Sequence, residues 1–459
     1  MIIISDKIKA YKDHIKGKRI SVCGIGISNL PLIDFLLSAD AIVTARDMKE
    51  REFLGEVADD LEKKNVKLIC GPSYLDDIDD DIIFRTPGLR YDNKGFSDAV
   101  KKGAVLTSEM QVFFDLCPCT KIGITGSDGK TTTTTLISEI LKADGKTVWL
   151  GGNIGKPLLQ DVGKMKESDF AVIELSSFQL HTMTTSPEIA VVTNISPNHL
   201  DYHKDYQEYI DAKKNIYSHN KDILLVTNNE NDITLEMAKE ANGKKIFFSS
   251  KNTCDIYEEN GKIYVKDEEV LQTKDILLPG RHNVENYMAA IGATYNYVSK
   301  DSFTKVAKNF KGVEHRLEFV AEKNGVKYYN GSIDSTPTRT MAALSAFNGR
   351  NLVVICGGYD KKLDYSPLAP VMAEKAKAVI LTGACAPKIK QAFLECEEFI
   401  NSNTVIKETD DFEDAIILAS KTADKGDIVL LSPAAASFDK FKNFEIRGRF
   451  YKDIVLNKI

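Results

Sequence analysis

The sequence predicts an α/β fold in three domains: a Rossmann-like N-terminal domain, a central P-loop ATPase-like domain on a parallel sheet, and a Rossmann-like C-terminal domain. Three observations predict it. An apolar strand enters a glycine turn and leaves as a helix over Lys121 to Thr132. Short apolar runs alternate with helical patterns. The alternation also starts near Arg19 and restarts after Gly312. A chain of 459 residues exceeds one ordinary core, and a typical domain of about 150 residues puts the count near three. The expected domains are residues 1–108, 109–312 and 313–459, with a hinge near Lys311-Gly312.

Composition narrows the function. Hydrophobic residues at 43% and charged residues at 27% suit a globular protein. A net charge of −6 gives no electrostatic reason to bind nucleic acid. The apolar start is broken by Asp6 and Lys7, so neither a signal peptide nor a membrane span is expected, and the chain is expected in the cytoplasm. Eight cysteines show no zinc spacing, and Cys117-Pro118-Cys119 is too close for C-x-x-C. They read as reduced thiols, mostly buried.

In the first segment a strand from Arg19 to Val22 leads into Gly24-Ile25-Gly26-Ile27-Ser28-Asn29, a helix, and a second strand ending near Val43. Asn29 stands where a dinucleotide fingerprint has its third glycine. The turn either receives a nucleotide phosphate or is a tight structural turn. A strand from Ile82 to Phe84 ends at Thr86-Pro87-Gly88, which would border the same ligand.

The central segment carries the strongest signal. Backbone N–H groups of the turn after Thr125 and the helix N-terminus would hold a phosphate, Lys130 would add an ammonium, and Thr131 a hydroxyl for Mg²⁺. The general P-loop pattern asks for glycine where Ile124 stands, and Gly126 takes the turning role. The strand from Asp169 delivers Glu174 at its C-terminal end, where open parallel sheets bind ligands. Glu174 either ligates Mg²⁺ or caps the next segment through Ser176 or Ser177. His199 follows the strand Val191 to Ile195 and is either a ligand of a second divalent ion or a solvated loop histidine. Lys213 and Lys214, on the helix from Asp205 to Tyr217, read as solvent-facing charges. Gly151 to Gly155 form a turn whose amides would meet a substrate phosphate. Asn260-Gly261, between two short alternating runs, predicts an inserted hairpin. Strands Leu352 to Cys356, Ala378 to Leu381 and Ile428 to Leu431 build the third segment.

These residues together resemble the Mur ligases. The resemblance rests on Thr125-Gly126-Ser127-Asp128-Gly129-Lys130-Thr131, Gly151 to Gly155, Glu174-Leu175-Ser176-Ser177-Phe178-Gln179-Leu180, Asn198-His199-Leu200-Asp201, Gly280 to Asn286, His315-Arg316, and Leu431-Ser432-Pro433 through Phe444, which span nearly the whole chain in order. It implies ATP-dependent ligation of D-glutamate to UDP-N-acetylmuramoyl-L-alanine through an acyl phosphate, in cytoplasmic peptidoglycan precursor synthesis. Two Mg²⁺ ions and a CO₂-derived carbamate on Lys213 are implied with it, and a monomer is expected. The phosphate loop, with Ile124 in place of glycine, is that of the family.

By the same resemblance Lys130, His199 and Lys213 are catalytic. Gly126, Ser127, Asp128, Gly129, Lys130, Thr131, Thr132, Asn283, Asn286 and Arg316 bind ATP. Thr131, Glu174, His199 and carbamylated Lys213 serve the metals. Ile27, Ser28, Arg46, Thr86, Pro87, Gly88 and Asn153 neighbour the UDP substrate, and Ser335, Lys361, Ser437 and Phe444 the D-glutamate. The carbamate reverses the solvent-facing reading of Lys213. Sibling ligases and folylpolyglutamate synthases share the phosphate loop, and the Gly24-Ile25-Gly26 turn with the Ser437 to Phe444 segment distinguishes this chain from them. A nucleotide-binding scaffold without turnover would not need Lys130, Thr131, Glu174, His199 and Lys213 together.

Two departures stand out. Where the family often has Asn-Asp-Ser-Lys-Ala-Thr, this chain has Asn330-Gly331-Ser332-Ile333-Asp334-Ser335, and Asp334 is expected to supply the missing carboxylate. The order Arg46-Asp47 also differs where uracil contacts are expected.

Overall fold

Apolar runs bounded by glycine turns become buried strands, and in this computed structural model, which describes residues 4–26 and 29–459, they assemble into three sheets. Ile27 and Ser28 lie outside the described residues. The chain divides into two units, one of Met1–Leu271 with Glu285–Phe303, the other of Gln272–Val284 with Thr304–Ile459.

The first unit holds two sheets. Strands Arg19–Cys23 (β1), Ile42–Asp47 (β2), Lys67–Cys70 (β3), Ile82–Arg85 (β4) and Val105–Thr107 (β5) stand in the order β3-β2-β1-β4-β5. All are parallel, and the order reverses between β1 and β4, which opens a crevice at the strands' C-terminal ends. The second strand does not end near Val43 as expected. It runs on to Asp47, because Thr44 and Arg46, polar letters that read as loop, are buried within the domain.

Strands Thr120–Thr125 (β6), Val148–Gly152 (β7), Phe170–Glu174 (β8), Ile189–Val192 (β9), Leu224–Asn228 (β10), Lys244–Ser249 (β11), Ile256–Glu259 (β12), Lys262–Val265 (β13) and Glu268–Gln272 (β14) form the second sheet. Their order is β14-β13-β12-β11-β10-β9-β6-β8-β7. β6 lies between β9 and β8, parallel to both. The expected hairpin is β12 with β13, antiparallel, with Glu259 opposite Lys262. Asn260 (φ 51°) and Gly261 (φ 77°) take the left-handed conformations that a two-residue turn requires. One apolar cluster, including Val22, Phe84, Phe113, Leu158, Leu175 and Val192, is shared by both sheets.

The second unit carries Glu318–Lys323 (β15), Val326–Asn330 (β16), Leu352–Gly357 (β17), Ala376–Thr382 (β18), Val405–Glu408 (β19) and Ile428–Leu431 (β20) in the order β15-β16-β20-β17-β18-β19. Only the β15–β16 pair is antiparallel among them. All eight cysteines are free and five are buried. Among the described residues no helix is long and apolar enough to cross a membrane.

Candidate nucleotide and metal site

β6 ends at Thr125, and the chain turns at Gly126 with φ 149°. A Cβ there would lie 1.9 Å from Thr193 Oγ1, so both backbone and space require glycine. At Gly129 (φ 77°) a Cβ would lie 2.4 Å from Asn286 Oδ1. The loop is pinned to the segment after β9. Ser127 N donates to Asn194 O (2.8 Å) and Asp128 N to Asn194 Oδ1 (3.0 Å), while Thr193 Oγ1 donates to Asp128 O (2.6 Å). The helix Lys130–Ala143 starts at once, and its N-cap Gly129 offers no side chain to its first-turn N–H groups. Such an end accepts an anion. Lys130 Nζ folds back onto the carbonyls of Gly126 and Ser127, 2.8 Å from each, which holds its charge at the loop. Thr131 and Thr132 are buried in the first turn.

Glu174, the last residue of β8, is 1% exposed. Its Oε1 accepts from Asn153 Nδ2 (2.7 Å), and its carbonyl accepts from Asn153 N (2.9 Å). Oε2 is buried with no hydrogen-bond partner. The capping alternative fails, because Ser176 and Gln179 cap that segment reciprocally. An orphaned buried carboxylate oxygen is costly, and a divalent cation would satisfy it. A carboxylate oxygen is a hard donor of the kind that suits Mg²⁺.

Lys213 overturns the solvent-facing reading. It is 1% exposed, donates to Thr125 Oγ1 (3.0 Å) and Gly126 O (2.9 Å), and its Nζ lies 4.8 Å from the centre of the Tyr209 ring. Burial, and then the charge of Lys130, pushes its pKa far below the ordinary lysine value. The amine lies directly beneath the phosphate loop. Lys214 keeps the expected role, paired with Glu240 (2.9 Å) and Asp211 (3.4 Å).

His199 is exposed in the left-handed region at φ 54°, its ring edge-on to Phe178 at 5.0 Å. Partial burial and then Lys130 hold its pKa below the usual histidine value. A neutral imidazole has a lone pair for a metal.

In the first sheet, a Cβ on Gly24 would meet Thr86 Cγ2 at 2.7 Å, so the turn packs directly on the Thr86-Pro87-Gly88 segment. Asn29 Nδ2 ties the turn by donating to Gly24 O (2.7 Å), and Asp47 Oδ2 accepts from Ile25 N (2.7 Å). Arg46, expected as a substrate neighbour, is held within the domain. It is 4% exposed, with its guanidinium bound to Ser21 Oγ (2.7 Å), Tyr74 O (3.1 Å) and Asp80 (3.3 Å).

Sequence reasoning missed Arg85, whose signal was an arginine ending the otherwise apolar β4. It is buried and donates to Pro87 O (3.2 Å), Leu89 O (2.9 Å), Phe178 O (3.1 Å) and Thr182 Oγ1 (2.8 Å). Tyr202 also donates to Pro87 O (3.1 Å). The Thr86-Pro87-Gly88 segment is thereby fastened to the helix that follows Glu174.

Asn286, in the first unit, is buried and accepts from Thr133 Oγ1 (3.2 Å). Asn283, in the second, is buried and donates to Pro279 O (2.6 Å). There too Arg316 and Lys361 are exposed, Ser335 is half-buried and Ser437 buried. Phe444 opens the helix Phe444–Asn457, its ring edge-on to His315 at 5.9 Å. Arg447, also missed, is buried and donates to Ser332 O (2.9 Å), Ala435 O (3.0 Å) and Ala436 O (3.1 Å), joining the Gly331 and Ser437 segments. A Cβ on Gly331 would lie 2.5 Å from Asp334 Oδ2. The Asp334 carboxyl thus fills space that a side chain at 331 would enter. It accepts from Ser432 Oγ (2.9 Å), and burial raises its pKa to about 7.

Residues 124–294 match the Mur ligase middle domain, and residues 315–435 the Mur ligase glutamate ligase domain. The UDP-N-acetylmuramoylalanine–D-glutamate ligase of Clostridium perfringens (strain 13 / Type A) is 49% identical over 451 residues, 97% of this chain and 98% of that one. The ligase of the same name from Clostridium botulinum (strain 657 / Type Ba4) is 50% identical over 449 residues, with the same coverage. Among solved structures, a UDP-N-acetylmuramate-alanine ligase from Thermotoga maritima aligns with TM-score 0.56 at 18% identity, covering 96% of this chain and 100% of that one. A MurF structure from Acinetobacter baumannii aligns at 0.56 and 17%, covering 80% and 90%. At such identities the likeness speaks for the fold alone.

Proposed function

The chain belongs to the Mur ligase family, and we propose that it joins D-glutamate to UDP-N-acetylmuramoyl-L-alanine at the expense of ATP. The observation that carries this reading is near full-length similarity, at 49–50% identity, to ligases named for that reaction. The buried geometry around the phosphate loop supports it.

A carboxylate is a poor electrophile at neutral pH. Transfer of the ATP γ-phosphoryl to the alanyl carboxylate makes an acyl phosphate. The D-glutamate amine then attacks its carbonyl carbon, the amide C–N bond forms, and phosphate leaves with the bridging oxygen. The loop amides and the first turn of Lys130–Ala143 bind the ATP phosphates, and Lys130 neutralises charge on the transferred group. Bound Mg²⁺ would supply Lewis-acid stabilisation of the phosphates. Thr131 and Glu174 would hold one ion, and His199 with carbamylated Lys213 the other. Burial and the charge of Lys130 disfavour the ammonium of Lys213; its unprotonated amine would attack CO₂ with loss of one proton, giving an anion beside Lys130.

Asn153, Thr86, Pro87 and Gly88 are assigned to the UDP substrate, and Ser335, Lys361, Ser437 and Phe444 to D-glutamate. Asn283, Asn286 and Arg316 are assigned to ATP, with Asp334 in place of the carboxylate absent at Gly331. The domain limits 1–108, 109–312 and 313–459, a monomeric state and a cytoplasmic location belong to the same reading. The test uses substrate carrying ¹⁸O in its alanyl carboxylate. One ¹⁸O in the released phosphate is expected, and unlabelled phosphate would exclude the acyl phosphate route.

A further inference from the structure

We propose that His181, His203 and Glu208 form a site for a four-coordinate transition cation of the Zn²⁺ class, separate from the metals of the nucleotide. One ligand atom from each of the three lies within 4.8 Å of the others. His203 Nδ1 is 3.5 Å from Glu208 Oε2, and His181 Nε2 is 3.8 Å from Glu208 Oε1. These distances are too long for good hydrogen bonds. They suit a shared ion, because ligands about 2.1 Å from a tetrahedral metal stand roughly 3.4 Å apart.

The side chains are ready for such an ion. Those of His181, His203 and Glu208 are 9%, 0% and 15% exposed, and Nδ1 of His203, the atom that faces Glu208, is buried without a hydrogen-bond partner. His203 Nε2 lies 2.9 Å from Ser177 Oγ. If Nε2 carries the proton toward that hydroxyl, Nδ1 presents its lone pair to the cluster, the outer-shell arrangement common around metal-bound histidine. Burial lowers the pKa of both imidazoles, that of His181 to about 4. Two imidazoles and one carboxylate leave a fourth position for water, and imidazole favours transition metals over Mg²⁺.

Arg90 is the competitor, donating to Glu208 Oε1 (3.0 Å) and Oε2 (3.1 Å), while Lys204 N donates to Oε2 (2.7 Å). A carboxylate has about four acceptor sites, so one remains. Arg90 also bonds Asp92 twice at 2.9 Å, which keeps its charge compensated beside an ion. A cleft of about 440 Å³ lined by His181, Asp205, Gln207, Glu208 and Asp211 gives a cation an acidic approach. The site would tie the segment after Glu174, the His199 loop and the helix that bears Lys213.

The test titrates the full chain, freed of metal by a chelator, with Co²⁺ at saturating Mg²⁺. One Co²⁺ per chain with the intense visible bands of a four-coordinate ion is expected, displaced by Zn²⁺. His181→Gln should weaken Co²⁺ binding by more than about 100-fold, with an unchanged circular dichroism spectrum. His203→Gln should do the same if it folds, and the less buried His181 carries the test if it does not. His199→Ala should keep the bands. Weak octahedral bands alone, bands that survive His181→Gln, or bands lost only in His199→Ala would each overturn the proposal.

Discussion

Glu174→Gln has opposite effects on the empty and the loaded protein. The carboxylate is 1% exposed, and only one of its oxygens is paired, with Asn153. Glutamine keeps that acceptor and puts a neutral amide where the unpaired charged oxygen stands. Leaving a buried polar group unsatisfied costs about 1–3 kcal/mol, and more when it is charged. The difference favours the variant by about 1–2 kcal/mol without metal, and each kcal/mol raises the melting temperature by about 2–4 °C in a unit of this size. An amide nitrogen cannot ligate Mg²⁺, so the stabilisation that ATP with Mg²⁺ gives the parent should disappear, and turnover with it. Differential scanning calorimetry with and without Mg²⁺ and ATP reads both signs. A variant that melts lower when empty, or that keeps the parent's shift with Mg²⁺ and ATP, would refute the reasoning.

Lys213→Ala should lose turnover by roughly 10²–10³-fold, as when one preorganised electrostatic group is removed, with partial rescue by acetate; full activity, or no rescue, would remove the carbamate from the account. Arg85→Met removes the guanidinium from Phe178 O and Thr182 Oγ1 and leaves Pro87 O and Leu89 O to Tyr202 alone, so it should destabilise the chain by about 2–4 kcal/mol and raise KM for the UDP substrate more than for ATP. An unchanged urea midpoint would contradict the fastening role. Burial raises Asp334 from 3.8 to about 7, so between those pH values the folded state holds a proton that the unfolded chain has lost. Stability should therefore fall as pH rises through that window, by up to about 4 kcal/mol, and level off above it. Asp334→Asn should flatten this part of the profile, and an unchanged slope would sink the argument.

The phosphate loop was legible because its glycines, Gly126 (φ 149°) and Gly129 (φ 77°), answer a local backbone demand of such a strand-turn-helix. The α/β architecture followed from apolar runs and their turns, down to the Asn260-Gly261 hairpin. What stayed hidden depended on partners distant in sequence. Nothing in the periodicity of the Lys213 helix says that its amine turns inward to Thr125, 88 residues away. Nor does the sequence show that the Arg46 guanidinium meets Asp80 and Tyr74 through the fold. Arg85 and Arg447 act through backbone carbonyls, which carry no residue-type signature in a sequence.

The most direct test of the central claim is ATP-dependent phosphate release with UDP-N-acetylmuramoyl-L-alanine and Mg²⁺, comparing D-glutamate with L-glutamate, L-alanine and meso-diaminopimelate. The account predicts release with D-glutamate alone. Release with another of these amino acids, or with none, would contradict it.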